Sequence, residues 1–149
     1  MSEHTDTSTA GSLDDTIRVF CSYFHNAALG LTYVDRGTKW IEYRIPWKEE
    51  LVGEPGSDLV ASSVIYSALD ASCALLPYVV KGRMIIAPTL ELRVDHFRAP
   101  EPRRDLVFRA MSLKLTSDIS FTRAVAHEGD PDDPVAVANG TFMALKSAK

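Results

Sequence analysis

Apolar residues recur along the chain with two spacings, and the spacing divides it into elements. Ile17, Phe20, Cys21, Phe24 and Ala28 fall three and four residues apart, which marks one face of an α-helix. Ser12-Leu13-Asp14-Asp15 precedes that face as a capping signal, and Gly30 follows it as a stop. The pattern predicts a first helix over Asp14–Leu29. Leu31–Val34 and Lys39–Ile45 read as strands joined by the turn Asp35-Arg36-Gly37. In the second strand Lys39, Ile41, Tyr43 and Ile45 alternate with Trp40, Glu42 and Arg44, until Pro46 ends the run. Pro46–Asp58, which contains Gly53, Pro55 and Gly56, reads as a loop.

Leu59–Leu76 is the most apolar segment. Its length and alanine content favour a helix. Ser57 or Asp58 is positioned to cap it, and Pro77 to stop it. A helix apolar on most sides is buried nearly all round, and burial that deep requires a sheet wrapped about it. Four later segments supply one: Met84–Phe97, Asp105–Thr116, Asp118–Ala126 and Val135–Leu145, all rich in β-branched and aromatic residues. The short breaks between the last three imply antiparallel hairpins. The predicted fold is α+β, a curved antiparallel sheet wrapped around one long central helix. Residues 1–12 are polar and read as a disordered tail, with a single domain over 13–149. The outer face and edges of such a sheet are expected to meet a second copy.

Composition narrows the function classes. The chain has 149 residues, 46% hydrophobic and 24% charged, with a net charge of −4. That suits one globular domain and argues against binding a phosphate backbone, so no nucleic-acid partner is expected. Serines, Asp70 and Pro77 interrupt the longest apolar stretch, which speaks against a membrane span. The start lacks the basic and apolar blocks of a secretory signal. Cys21 and Cys73 lie in apolar surroundings and read as free buried thiols in a reducing compartment, a bridge between them being the alternative. A cytoplasmic protein is expected.

Chemistry concentrates on the central helix. At about 100° per residue, Ser63, Ser67, Asp70 and Ala74 form one narrow stripe of small or polar side chains. A carboxylate there has to be paired, hydrogen-bonded, protonated or wet. Two readings stand side by side. In one, Asp70 bonds a neighbour and fixes packing. In the other it is a general base, or a nucleophile toward an activated carbonyl. The first-turn N–H groups of the same helix suit an oxyanion, unless Ser57 or Asp58 caps them. His4, His25, His96 and His127 show no metal-ligand spacing and read as surface or strand-end residues, so no metal is expected. Arg98, Arg103 and Arg104 form a basic group beside Pro100 and Pro102, either a solvated face or a phosphate contact. Trp40 and Trp47 read as core or interface residues.

The sequence resembles the hotdog-fold acyl-CoA thioesterases of the phenylacetate-degradation type over about Phe24–Leu145. The resemblance rests on four segments. His25-Asn26-Ala27-Ala28-Leu29-Gly30-Leu31 with Val34-Asp35-Arg36-Gly37 is similar to the family's opening. Ala61-Ser62-Ser63 followed by six residues and Asp70 resembles its helix pattern of His-Gly-Gly, six residues and an acid. Thr89–Pro100 and Val137–Met143 resemble two of its strands.

The resemblance implies thioester hydrolysis in a homodimer or homotetramer, with active sites at subunit interfaces and coenzyme A only as part of the substrate. Asp70 takes the place of the acidic base or nucleophile. Ser62 takes that of the glycine whose N–H polarises the carbonyl. Thr89 takes that of a hydroxyl residue supplied by the partner subunit. Ser63, Ser67, Arg98, Ser117 and Arg123 are the expected substrate contacts, the last three toward phosphates. The sequence departs from the family at Ala61, where histidine is usual, at Ser62 and Ser63 in place of glycines, in the loop Gly53–Val60, which lacks the usual Asn, and at Ser117-Asp118. Those departures leave a second reading, a non-catalytic module that binds an acyl or aromatic acyl-CoA ligand. A hydratase or dehydratase on this fold would resemble a pattern with a catalytic histidine near the acid, which the sequence lacks.

Overall fold

A computed structural model describes residues 8–146. Most of the expected tail, residues 1–7, lies outside that range. The first helix begins at Ser8, earlier than predicted, and the predicted single helix is two: α1 (Ser8–Cys21) and α2 (Phe24–Leu29). Local hydrogen bonds explain the break. The Ser22 N–H and hydroxyl both turn back to the Val19 carbonyl, and the Asn26 amide reaches the Phe20 carbonyl at 3.1 Å. These satisfy carbonyls that a continuous helix would have used. Gly30, in the left-handed region at φ 77°, ends α2 as expected.

Strands β1 (Thr32–Arg36) and β2 (Trp40–Ile45) form the first hairpin. A short 3-10 turn over Glu49–Leu51 follows. The central helix α3 spans Ser62–Ala74, starting later than predicted, because Val60 pairs with Val52 and the Leu59 carbonyl accepts from the Gly53 N–H. Pro77 does not end the helical region. It sits in the first turn of a further helix, α4 (Leu76–Lys81), where a missing N–H costs nothing. Ser62–Lys81 is long and apolar enough to cross a membrane by composition, yet 67% of its most apolar window is buried inside the domain.

The remaining strands are β3 (Ile85–Ile86), β4 (Thr89–His96), β5 (Leu106–Leu115), β6 (Ile119–His127), β7 (Ala136–Met143) and β8 (Leu145–Lys146). The predicted strand over Met84–Phe97 is thus divided between β3 and β4, at Ala87-Pro88. Six strands make one antiparallel sheet in the order β1-β2-β5-β6-β7-β4, and β3 pairs with β8 apart from it. The period-2 pattern explains which side packs. Ile41, Tyr43, Ile45, Leu106, Phe108, Ala110, Ala124, Ala126, Ala138 and Phe142 are buried beneath the helices. α3 lies across β5, β6, β7, β4 and β2. Gly140 leaves room on the inner sheet face for its neighbours: a Cβ there would come within 2.8 Å of the Leu92 side chain and 2.9 Å of Phe142. Strand β4 forms one edge of the sheet.

Candidate functional site

The central helix has two unlike sides. Val64, Ile65, Ala68, Leu69 and Cys73 are buried. Ser63 is exposed, and Ser67, Asp70 and Ala74 are partly so. The stripe read from the spacing is therefore real, and it lies open. Asp70 is half-buried and paired: its Oδ1 accepts a hydrogen bond from the Thr89 hydroxyl at 2.7 Å. The resemblance implied a hydroxyl from the partner subunit, but this Thr89 belongs to the same chain. A β-bulge provides the reason. Between Thr89 and Glu91 the β4–β7 register shifts, so Thr89 pairs with the buried Phe142 while Glu91 pairs with Thr141. The extra residue turns Thr89 to the helix side of the sheet. Tyr66, on the exposed side of α3, donates to the Leu92 carbonyl at 2.9 Å and fastens β4 to the helix.

The start of α3 is open as well. Ala61 is its N-cap and offers no side-chain cap. The two residues expected to cap it are engaged elsewhere. The Ser57 hydroxyl accepts from the Leu59 N–H at 3.3 Å, and Asp58 pairs with Arg103 at 2.8 Å. The first-turn N–H groups at Ser62 and Ser63 thus emerge without a side-chain partner, the partly positive end of the helix dipole. Beside them is a cavity of about 310 Å³, walled by Val60, Ser62, Ile65, His96, Phe97 and Pro100 among others. His96 reaches it because Leu92, Val94 and His96 alternate along β4 and the first two pack against the core. The reading of His96 as a strand-end surface residue holds, since it is the exposed last residue of β4; its place on this cavity was not expected. The signal was present, since His96 continues the inward-facing alternation of a strand already read from the sequence.

Helix geometry sets a constraint. Ser62 and Asp70 are eight residues apart, about 12 Å along the axis. A carbonyl held by the first and attacked through the second needs them within about 6 Å. One copy of α3 does not bring them to one carbonyl.

The other expected contacts are dispersed. Arg98 lines the cavity at the helix start, but its guanidinium donates to Glu128 at 2.8 Å and Asp133 at 3.3 Å. It holds a wall. Ser117 lies in the β5–β6 turn, its hydroxyl on Asp118 at 2.7 Å, beside Lys81 and Arg83. Arg123 is exposed on β6. Cys73, one turn from Asp70, is a buried free thiol whose pKa burial pushes up to about 12, against a hydrogen bond from Thr122 that lowers it. It is no thiolate nucleophile at neutral pH. Cys21 is likewise free and buried, pushed up to about 11 by burial. Among the described residues, no three His, Cys, Asp or Glu side chains gather as metal ligands.

No protein-family model and no curated protein matches the sequence. Solved structures do. A protein of Pseudomonas aeruginosa is 32% identical, with 89% of this chain and 99% of that one covered and a TM-score of 0.81. A Shewanella oneidensis protein related to the thioesterase superfamily is 20% identical, over 95% and 100% of the two chains, with a TM-score of 0.79. A thioesterase family protein of Silicibacter pomeroyi is 20% identical, over 94% and 100%, with a TM-score of 0.78. The chain therefore has the hotdog fold of thioesterase-superfamily structures, and it is related over nearly its whole length to the P. aeruginosa protein.

Proposed function

We propose that the chain is an acyl-CoA thioesterase of the phenylacetate-degradation type. It works in the cytoplasm as a homodimer or dimer of dimers, with coenzyme A entering only as part of the substrate. The observation that carries this reading is Asp70: a half-buried carboxylate on an open polar stripe of the central helix, oriented by the Thr89 hydroxyl at 2.7 Å. The 12 Å problem supports a shared site. Edge strand β4 carries unpaired backbone groups suited to a second copy of itself. Antiparallel pairing that uses the whole strand and keeps both helices on one side of the sheet brings Thr89-Leu90 opposite the far end of the partner's strand. The Asp70 of one subunit then meets the helix start of the other.

In the proposed reaction the partner subunit's Ser62 N–H holds the thioester oxygen. Asp70 takes a proton from water as the water oxygen bonds to the carbonyl carbon. The C–S bond breaks, and the departing thiolate takes up that proton, leaving a carboxylic acid and a thiol. Alternatively the Asp70 carboxylate attacks the carbonyl carbon, the C–S bond breaks to release the thiolate, and water then adds to the mixed anhydride, regenerating the Asp70 carboxylate and the carboxylic acid while the thiolate takes up the remaining proton. Ser63 and Ser67 border the substrate, Arg123 is exposed toward phosphates, Ser117 meets them once its hydroxyl leaves Asp118, and Arg98 acts through the wall it holds.

A thiol-release screen across short, long and aromatic acyl-CoAs tests the reading. Turnover of at least one class is expected. Ligand-dependent melting shifts without thiol release would instead favour a non-catalytic binding module, the second reading, which the replacement of His-Gly-Gly by Ala61-Ser62-Ser63 supports.

A further inference from the structure

We infer that His96 is a substrate-contacting residue of the site, supplied by the subunit opposite the one that supplies Asp70. The inference rests on the shared site proposed above and adds a group to it. Three observations converge. His96 and Ser62 line the same cavity at the start of α3, so an imidazole and the open helix start border one space. The rest of that cavity is chiefly apolar, with Leu59, Val60, Ile65, Phe97 and Pro100, which suits an acyl group and strengthens any hydrogen bond formed at its polar end. His96 also ends β4 on the helix side, while Thr89 begins β4 on that same side because of the bulge.

Self-pairing of the strand makes these ends meet. With Arg93 at the two-fold axis, Val94 faces Leu92 of the partner subunit, and the bulged Thr89-Leu90 faces the partner subunit's His96. Both pairings join residues of one sheet face, as a continuous sheet requires. One site then gathers Asp70 and Thr89 from one subunit with Ser62 and His96 from the other. Its chemistry is an imidazole N–H donating to the thioester oxygen beside the backbone N–H. Ala61, at the helix start, has only a methyl group and supplies no such donor. The exposed position of His96 is unremarkable on one chain; its place in the fold gives it a role only across two.

Subunit mixing tests this. His96→Ala should lower acyl-CoA turnover about 10²-fold, the usual effect of losing one well-placed donor, in a variant that still purifies as a folded dimer. His96→Gln, which keeps an N–H donor, should recover part of the loss. Asp70→Asn and His96→Ala chains, co-expressed with different tags and purified as mixed dimers, should regain about half the wild-type turnover. Both lesions then fall in one site and the other site is intact. Mixed dimers no more active than their parents would overturn the inference, as would wild-type turnover by His96→Ala. Either result leaves the thioesterase reading standing if Asp70→Asn alone is inactive. Full turnover by Asp70→Asn would remove that reading itself.

Discussion

Leu69 and Asp70 are adjacent on α3 and lie in opposite circumstances. Leu69 is fully buried among the strands, whereas Asp70 is half-exposed on the stripe with Ser63 and Ser67. One side of the helix holds the domain together, and the other is given over to small and polar side chains that add little to the core. A small and polar outward side is what any helix packed on one face shows; what sets this stripe apart is a carboxylate held by a hydroxyl from a neighbouring strand. Under the proposed function, packing and chemistry fall to adjacent residues of one helix.

Breaking the buried side should have the largest effect on stability. Leu69→Ala should cost about 2–5 kcal/mol through the transfer term and the cavity left behind, read as a lowered midpoint in urea with an unchanged slope. Gly140→Ala should also destabilise, by about 1–3 kcal/mol, since its Cβ meets Leu92 and Phe142 at contact too close to accept. On the open side the effect should move from stability to rate. Thr89→Val keeps the shape but removes the hydroxyl that orients Asp70, and should lower turnover about tenfold with little change in melting, from a hydrogen bond worth about 1–1.5 kcal/mol. Ser67→Ala should leave stability within about 0.5 kcal/mol.

A smaller effect lies far from both sides. The Asp105 carboxylate accepts from the Trp47 N–H at 2.7 Å and pairs with Arg44, and these contacts hold its pKa below the usual carboxylate value. A group whose folded pKa is depressed stabilises the fold above its unfolded pKa, near 3.9. That contribution is lost as pH falls through the lower folded value. Stability should therefore decline on acidification below about pH 4, and Asp105→Asn should flatten that part of the profile.

The sheet was legible in the sequence because inward and outward residues alternate through β2, through β6 up to Ala126, and over Leu106–Met111 of β5, before that strand's register shifts between Ser112 and Lys114. The helical stripe was legible because Asp70 stands among serines and alanines. What escaped prediction were features set by competing local bonds. Ser22 and Asn26 divide the first helix, and the Val52–Val60 bridge delays α3 beyond the expected caps. The bulge at the start of β4 escaped too, since nothing in Thr89-Leu90-Glu91 reveals a register shift. With it went the same-chain origin of the Thr89 hydroxyl. The site could be seen only in half, because its two ends lie two helical turns apart on one chain.

The central claim is that the carboxylate on the open side of α3 performs thioester chemistry and carries little of the fold. Measuring thiol release by Asp70→Asn against wild type, at matched folded concentration on the best acyl-CoA substrate, tests it most directly. The account predicts turnover reduced about 10²–10³-fold with the melting temperature nearly unchanged. Wild-type turnover in the folded variant would contradict it.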